Sequence, residues 1–239
     1  LDAPGGLNPI QASAYADDKK LRGRGGMWAG LYYPWLSVPD PLLAEGLNRS
    51  IPPCGYAAGT LAQNDRTFGV RKPPANLPLE MVSEPVEPID DQTQERLNEA
   101  GVNAIRTFPG RGIRVWGARS LSTDGDWRFL HVRRLLSMIE EAVEKSSRWA
   151  VFEPNDEPLR ATLVHNLTAF LEGIWRSGGL QGATPAEGFF VKCDETNNPQ
   201  SVIDRGQLLC QIGVAIAAPM EFLVFEIRRS VAGTEVVEG

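Results

Sequence analysis

The sequence predicts a mixed α/β (α+β) fold in two units. Segments rich in β-branched and aromatic residues alternate along the chain with segments whose apolar residues recur at helical spacing. A proline-dense stretch, Lys72–Pro88, breaks regular structure and is typical of a connector between units. With 239 residues, of which 42% are hydrophobic and 23% charged, the chain is long enough to give each unit a core.

The first unit is predicted to hold one strand and one helix. Residues up to Arg24 are polar and rich in glycine, so we expect a loop there. The segment Met27–Leu36 is aromatic and β-prone, which predicts a buried strand. The Ala-rich segment Tyr56–Asn64 predicts a short helix.

The second unit opens with a helix and a hairpin. The segment Asp90–Ala100 begins with an acidic cap and stops at Gly101, so both ends of a short helix are indicated. Two strands follow, Asn103–Phe108 and Ile113–Leu121. The turn Pro109–Gly112 between them predicts a hairpin.

Two longer helices and three strands complete the second unit. Apolar residues at helical spacing predict one helix from Asp126 to about Trp149. The other begins at a cap, Asn155 or Asp156, and ends at Gly178. The predicted strands are Phe189–Cys193, Gln211–Ala217 and Glu221–Arg229.

Composition excludes several classes of protein. A formal net charge of −6 argues against a nucleic-acid binder, which would normally carry a basic face. Three cysteines, Cys54, Cys193 and Cys210, are too few and odd in number for a disulfide framework and indicate reduced thiols. No apolar run reaches the roughly 18 residues of a membrane span. Because the sequence starts at Leu1 without Met or a signal-peptide layout, we expect an interior piece of a longer protein.

The sequence motifs predict no catalytic residue, no cofactor and no metal ligand. The glycine pairs at Gly23–Gly25 and Gly110–Gly112 lack the third glycine of a dinucleotide loop. Neither His131 nor His165 has partners at metal-site spacing. The acidic pair Asp194–Glu195 could hold a general acid or a cation, but its neighbouring Asn residues favour a capped turn.

Eight blocks of the sequence carry a resemblance to a known family. They are Tyr32–Trp35, Val38–Pro41, Pro73–Asn76, Pro109–Leu121, Trp127–Leu135, Phe189–Pro199, Gly213–Ala215 and Pro219–Phe222. In this order, and over most of residues 28–229, they resemble contractile tail sheath proteins. Small departures are Ser120, where Thr is usual, and Cys54, where Ser often follows the proline pair. The family comprises the sheaths of contractile phage tails, R-type pyocins and extracellular contractile injection systems. The residues in the blocks slightly favour the injection systems.

The resemblance implies a structural subunit and not an enzyme. It implies hexameric rings stacked as a helix around an inner tube, and a contraction that drives the tube through a target envelope. Expected partners are copies of the chain, the inner tube protein, and baseplate and terminal cap proteins, with no nucleic acid and no membrane insertion. Assembly would take place in the bacterial host cytoplasm, before the subunit becomes part of a virion tail or a released particle.

The resemblance also suggests a division of the chain. Residues 1–88 would be the C-terminal part of the central sheath domain, 89–229 the conserved C-terminal sheath domain, and 230–239 a C-terminal arm. The arm has β-branched residues but no core of its own, and an unpaired strand is a liability unless another strand covers its edge. We therefore expect Val231–Val237 to pair with a neighbouring subunit by β-augmentation, with a hinge near Gly233.

The predicted contact residues form two groups. The strand contacts are Phe222, Val224, Val231, Thr234, Val236 and Val237. Charged residues of the first long helix contact the tube or a neighbour, or else form a solvated face. They are Arg133, Arg134, Glu140 and Glu144. Two other classes stay open at this point: a monomeric binding module, and a small hydrolase that uses Asp194 and Glu195.

Overall fold

The computed structural model describes residues 1–18, 20–42, 47–219, 225–230 and 233–238. In these ranges the α-helices are α1 Pro9–Asp18, α2 Cys54–Phe68, α3 Asp91–Glu99, α4 Leu130–Ser147, α5 Glu157–Arg176, α6 Pro185–Gly188 and α7 Gln200–Ile203. The strands are β1 Leu31–Tyr33, β2 Leu36–Pro39, β3 Asn48–Ile51, β4 Leu77–Pro78, β5 Glu84–Pro85, β6 Val102–Phe108, β7 Gly112–Trp116, β8 Phe189–Lys192, β9 Gln211–Val214, β10 Phe225–Ser230 and β11 Gly233–Glu238. The mixed α/β fold class is confirmed.

A four-stranded sheet joins the two predicted units. Its strand order is β1-β6-β7-β4, with β1 parallel to β6 and the other neighbours antiparallel. The hairpin of β6 and β7 was predicted, although β7 ends at Trp116 and not at Leu121. Because β1 and β6 lie on opposite sides of residue 88 in sequence, the proline-rich stretch connects two parts of one sheet-based unit.

The predicted strand Met27–Leu36 is wrong as one element. Residues Arg24–Trp28 form a 3-10 helix, and the extended segment is divided between β1 and β2, which belong to different sheets. Pro34 stands at the division, where it has no N–H to donate to a ladder. The strand β2 is the centre of a three-stranded antiparallel sheet of order β3-β2-β5.

The predicted N-terminal loop is also wrong, because residues 9–18 form α1. Asn8 and Gln11 cap it reciprocally: the Gln11 N–H donates to Asn8 Oδ1 (2.9 Å) and the Asn8 N–H donates to Gln11 Oε1 (3.0 Å). Pro9 occupies the first helical position, where its missing N–H costs nothing. Ala12 is fully buried against the core that also contains Leu31 and Leu97.

The predicted helices of the second unit are confirmed with adjusted ends. In α3, Asp90 accepts the Thr93 N–H (2.7 Å) and Gly101 follows with φ +75°. The first long helix begins at Leu130 because Gly125–Trp127 form a separate 3-10 turn. The second, α5, is capped by Asp156, which accepts the Leu159 N–H (2.9 Å).

A second core fills the space between α4, α5 and the antiparallel pair β8–β9. Its buried side chains are Leu135, Ile139, Leu171, Leu180 and Phe189. The strands β8 and β9 pair antiparallel from Phe189↔Val214 to Lys192↔Gln211. Both strands are predicted from the sequence, but each is shorter than predicted. Two of the blocks that resemble the sheath family, Phe189–Pro199 and Gly213–Ala215, lie in this hairpin and its loop.

The premise that the C-terminal strand is unpaired is wrong in the single chain. The strand β11 pairs antiparallel with β10 over all six of its residues, from Phe225↔Glu238 to Ser230↔Gly233. A hairpin satisfies one edge of each strand, so the isolated chain does not leave an orphan strand there. The predicted strand Glu221–Arg229 begins, in the described part, at Phe225, since residues 220–224 lie outside it.

Candidate intersubunit surface

The C-terminal hairpin carries half of the predicted strand contacts. Thr234, Val236 and Val237 lie on β11, opposite Arg229, Ile227 and Glu226 of β10. The other three predicted residues, Phe222, Val224 and Val231, lie outside the described residues. Within the described strands, β10 and β11 pair only with each other, so each keeps one backbone edge on which a further strand can add.

The second predicted group lies on α4, and its first member is buried. Arg133 is only 6% exposed, and its guanidinium lies over the indole rings of Trp28 (4.3 Å) and Trp127 (5.2 Å). It also donates to Ser137 Oγ (3.1 Å) and to the carboxylate of Glu140. A guanidinium stacked and hydrogen-bonded in this way fixes the local packing. Arg133 therefore lies beneath the surface and holds the side chains around it in place.

The remaining charged residues of α4 differ in exposure. Arg134 is half-buried and forms a two-pronged ion pair with Asp65 of α2. Glu140 and Glu144 are exposed, and Glu144 pairs with Arg148 one turn later (3.0 Å). The two glutamates are thus the members of the group that a neighbour could reach, and their role as contacts stays a prediction.

An exposed apolar turn, which the sequence reading did not single out, connects α4 to α5. Trp149, Val151 and Phe152 are all exposed, and Phe152 is fully so. The backbone of Phe152 has φ +74°, a region that side chains other than glycine adopt only at a cost. A run of four apolar residues between a helix end and the next helix cap was the available signal. Exposed apolar clusters of this kind mark interaction surfaces.

A groove of about 890 Å³ lies beside the point from which the chain runs on toward the hairpin. Lys72, Asp91, Glu95, Trp116, Phe129 and Pro219 are among its lining residues. Two positions before Pro219, the Ala217 carbonyl accepts a hydrogen bond from His131 Nε2 (2.9 Å). Burial is the main cause that lowers the pKa of His131, so the ring is neutral at pH 7. This bond fixes the start of the C-terminal segment on α4.

The acidic pair considered as a catalytic centre is a turn. Asp194 Oδ1 accepts the Thr196 N–H (2.8 Å) and the Thr196 hydroxyl (2.6 Å), and these bonds lower the pKa of the Asp194 carboxyl. The amide of Asn198, 2% exposed, donates to Leu209 O (2.8 Å) and accepts the Leu209 N–H (2.8 Å). Asp194 therefore caps the start of a loop. Asn198 binds the end of that loop at Leu209, just before β9.

Two kinds of site are not found in the described part of the chain. Among its His, Cys, Asp and Glu residues, no group of three or more could hold a metal ion. None of its helices is long and apolar enough to cross a membrane.

Comparison with known families identifies this architecture. Residues 1–121 match the phage tail sheath protein central domain, and residues 122–230 match the phage tail sheath C-terminal domain. The chain belongs to the phage tail sheath family. The two matched domains meet between residues 121 and 122, where the Leu121 N–H donates to Gly26 O (3.0 Å) and Ala29 O (2.9 Å).

Two curated sheath proteins are 29% and 31% identical to the chain over the residues that align. A tail sheath protein of Vibrio phage KVP40 is 29% identical over 180 residues, which cover 74% of this chain and 26% of the relative. A putative prophage major tail sheath protein of Pseudomonas aeruginosa is 31% identical over 184 residues, 74% of this chain and 46% of the relative. The chain therefore spans between a quarter and half the length of these relatives.

Solved sheath structures match more of the chain. The sheath complex of PVC, an extracellular contractile injection system, in its contracted state superposes with a TM-score of 0.85 and 31% identity, covering 97% of this chain and 63% of that one. The helical sheath of the anti-feeding prophage in its contracted state gives a TM-score of 0.81 and 30% identity over 96% of this chain and 61% of that one. A Listeria innocua sheath tail protein shares the fold at a TM-score of 0.54 and 12% identity, over 90% of this chain and 55% of that one.

Proposed function

We propose that the chain is part of the structural subunit of a contractile sheath. The subunit polymerises as stacked hexameric rings around an inner tube and contracts to drive that tube through a target envelope. The observation that carries this proposal is the match of 97% of the chain to the PVC sheath in its contracted state. The chain spans 63% of that protein, so the proposal concerns the larger subunit to which these residues belong.

Partners follow from the same likeness. Copies of the subunit form the sheath, and a baseplate protein binds its end, which is supported by the match to the anti-feeding prophage baseplate structure (TM-score 0.82, 97% of this chain and 60% of that one). An inner tube protein lies inside the rings, and a terminal cap protein binds the end of the sheath. The subunit binds no nucleic acid and does not insert into a membrane. It assembles in the host cytoplasm and leaves it within a virion tail or a released injection particle.

The C-terminal hairpin provides the link between subunits in this proposal. Both β10 and β11 have a free backbone edge within the described strands, and a neighbour's arm adds to it by strand pairing. A head-to-tail contact of this kind does not close on itself, so it propagates into rings and helices. The link rotates near Gly233, at the start of β11, while the subunits move as rigid bodies.

The side-chain contacts lie on and beside α4. Glu140 and Glu144 present exposed carboxylates, and the turn at Trp149 and Phe152 adds an apolar surface at the end of the same helix. Arg133 and Arg134 hold that surface in place through Trp28 and Asp65. This combination of an apolar centre with charges beside it is typical of protein–protein contacts.

The division of the chain belongs to the proposal as well. A boundary near residue 88 would cut the sheet that pairs β1 with β6. The family domains meet at 121/122. We therefore place the central domain fragment at 1–121 and the C-terminal domain from 122 onward, with residues 230–239 as its arm.

Contraction needs no nucleotide in this account. The extended sheath is a higher-energy packing of the same subunits, and contraction repacks their interfaces. The subunit acts as a structural protein and not as an enzyme, which its membership of the sheath family supports. Nucleotide hydrolysis by purified sheath would contradict this part of the proposal.

Negative-stain electron microscopy of the full-length protein tests the function. We expect ringed tubes at high protein concentration. A monomer by light scattering at every concentration, with no tubes on the grid, would contradict a sheath and favour a monomeric binding module.

A further inference from the structure

The hairpin β8–β9 places two of the three cysteines opposite each other. The strand register pairs Lys192 with Gln211, and its next step pairs Cys193 with Cys210. Both cysteines are free thiols in the structure. The two thiols are close enough to hydrogen-bond, and each perturbs the pKa of the other. These two side chains are therefore neighbours across the end of the ladder, although a loop that contains α7 separates them in sequence.

The ladder also shows which kind of cross-strand pair they form. The Ala215 N–H donates to Gly188 O (2.8 Å), so Gly188–Ala215 is a hydrogen-bonded pair. In an antiparallel ladder every second pair is of this kind, and by the register Lys192–Gln211 is one of them. The next pair, Cys193–Cys210, falls at a position without exchanged bonds. At such positions the Cα atoms lie about 4.5 Å apart and the side chains approach most closely. A disulfide requires Cα atoms about 4.4–6.8 Å apart, so the register permits one.

The surrounding loop holds the two cysteines in this register. Asn198 ties its side-chain amide to both backbone groups of Leu209, the residue before Cys210. Asn155 reaches the same loop by donating to Gln207 O (2.9 Å). Arg160, buried beside Asn155, donates to Asn155 Oδ1 (2.8 Å). The loop between the cysteines is thus fixed by side chains on both of its sides, and closing a disulfide requires little movement of the backbone.

Exposure decides which oxidant can reach the pair. Cys193, the residue after β8, is 6% exposed, while Cys210 is half-buried. A bulky disulfide reagent has poor access to such thiols, whereas a small hydroperoxide can enter. The third cysteine, Cys54, is exposed in the first turn of α2, which makes it a natural internal control.

We propose that Cys193 and Cys210 form a peroxide-oxidisable dithiol that closes an intramolecular disulfide across the end of β8–β9. The Cys193 thiolate attacks one oxygen of hydrogen peroxide, the O–O bond breaks, and a sulfenic acid and hydroxide form. The sulfur of Cys210 then attacks that of Cys193, the S–O bond breaks, and water leaves. The proton given up by Cys193 neutralises the hydroxide. The dithiol loses two electrons and two protons, and the peroxide is reduced to two waters.

The environment supports this order of events. Burial raises the pKa of Cys193, but the Cys210 thiol and the Arg160 guanidinium both act to lower it. Burial, together with the charge of Cys193, raises the pKa of Cys210 to about 12. The thiolate that forms first is therefore that of Cys193, with Cys210 as the resolving thiol. We expect the reaction to speed up roughly tenfold per pH unit near neutrality, because the thiolate fraction rises in that proportion.

Peptide mapping by mass spectrometry under non-reducing conditions tests the proposal. After hydrogen peroxide treatment, we expect the peptides of Cys193 and Cys210 to be linked with the loss of two hydrogens, and dithiothreitol to separate them. The control Cys54→Ser should form the same link. Cys210→Ser should not, and should instead accumulate sulfinic or sulfonic acid at Cys193.

Stability gives a second readout that needs no variant. The disulfide closes a loop of residues 193–210, so the oxidised wild-type protein should melt about 5 °C or more above the reduced one. Oxidation of Cys193 to sulfinic acid in the wild type without a link to Cys210 would overturn the proposal. So would a link formed only between Cys54 residues of two molecules. None of these outcomes depends on sheath assembly, so the inference stands or falls separately from the proposed function.

Discussion

Arg134 and Asp65 join α4 to α2 through a two-pronged ion pair. Both side chains are partly shielded from water, with 31% and 26% of their surfaces exposed. The pair bridges the long helix of the C-terminal domain and the helix of the central domain, on opposite sides of the junction between the matched domains. It therefore contributes to the relative position of the two domains as well as to the stability of each.

Removing Arg134 should destabilise the protein more than removing an exposed partner. Arg134→Ala leaves the half-buried Asp65 carboxylate without its cation, and we expect a loss of about 1–2 kcal/mol in the free energy of unfolding. Arg148→Ala breaks the exposed pair with Glu144 and should cost less than about 0.5 kcal/mol. Urea unfolding measures both. Equal losses for the two variants would show that the bridge between α2 and α4 adds nothing.

Acid should weaken the anchoring of the C-terminal segment through His131. Burial lowers the pKa of His131 below its ordinary value of 6.5, so the unfolded state binds a proton before the folded state does. Stability is then fully present above pH 6.5 and falls as the pH drops below it. The urea midpoint of the wild type should decrease between pH 7.5 and pH 5.5 by more than that of His131→Gln. The matched control is His165→Gln on the exposed face of α5, and its urea midpoint should decrease as much as that of the wild type. If the midpoint of His131→Gln also decreased as much as that of the wild type, His131 would not be the group responsible.

The close contact between Gly26 and Leu121 should tolerate no side chain. A Cβ at Gly26 would lie 2.2 Å from the Leu121 carbonyl oxygen, which is backbone and cannot move alone. Gly26→Ala should therefore lower the free energy of unfolding by about 1–3 kcal/mol through overpacking. At the neighbouring Gly25 a Cβ meets nothing within 4 Å, and Gly25→Ala should be nearly neutral. Thermal melts of the two variants compare them directly, and matching melting temperatures would count against a fixed junction.

Phe152 should matter for assembly and not for folding. Its ring is fully exposed and its backbone has a positive φ, so Phe152→Gly removes an apolar contact while relieving strain. We expect the monomer to unfold no more easily than the wild type, within about 1 kcal/mol, and polymerisation to weaken. Phe152→Ala should assemble as poorly but keep the strained backbone. Sedimentation of both variants at equal concentration is the measurement, and undiminished tubes would exclude this turn from the interface.

Elements with local end signals could be predicted from the sequence. The helix α3 has Asp90 at one end and Gly101 at the other, so it is predicted near its true bounds. The β6–β7 hairpin has its turn residues in sequence, so the turn is predicted correctly although the end of β7 is not. The helix α1 has an equally local signal in Asn8, Pro9 and Gln11, but its weak apolar pattern concealed it. Strand ends are less predictable because the pairing decides them: β7 ends at Trp116, opposite Ala104, although β6 itself begins at Val102.

The candidate surface was less accessible to sequence reasoning. Arg133 is a charged residue and is therefore grouped with Glu140 and Glu144 as a surface contact, yet its guanidinium lies over the indole ring of Trp28, more than a hundred positions earlier. Likewise, nothing local shows that Cys193 lies opposite Cys210 until the register of β8 and β9 is known. The paired state of β11 depends on β10 in the same way. Long-range packing determines each of these features, and a pattern within one segment does not contain it.

Assembly through the C-terminal hairpin is the central claim, and deletion of residues 230–239 tests it most directly. The wild-type protein and the truncated protein should be compared by negative-stain electron microscopy and sedimentation under one set of conditions. We predict ringed tubes for the wild type, and for the truncated protein a folded monomer that keeps the helical circular dichroism signal and loses only the β10–β11 hairpin. Tubes of normal length and number from the truncated protein would contradict the claim.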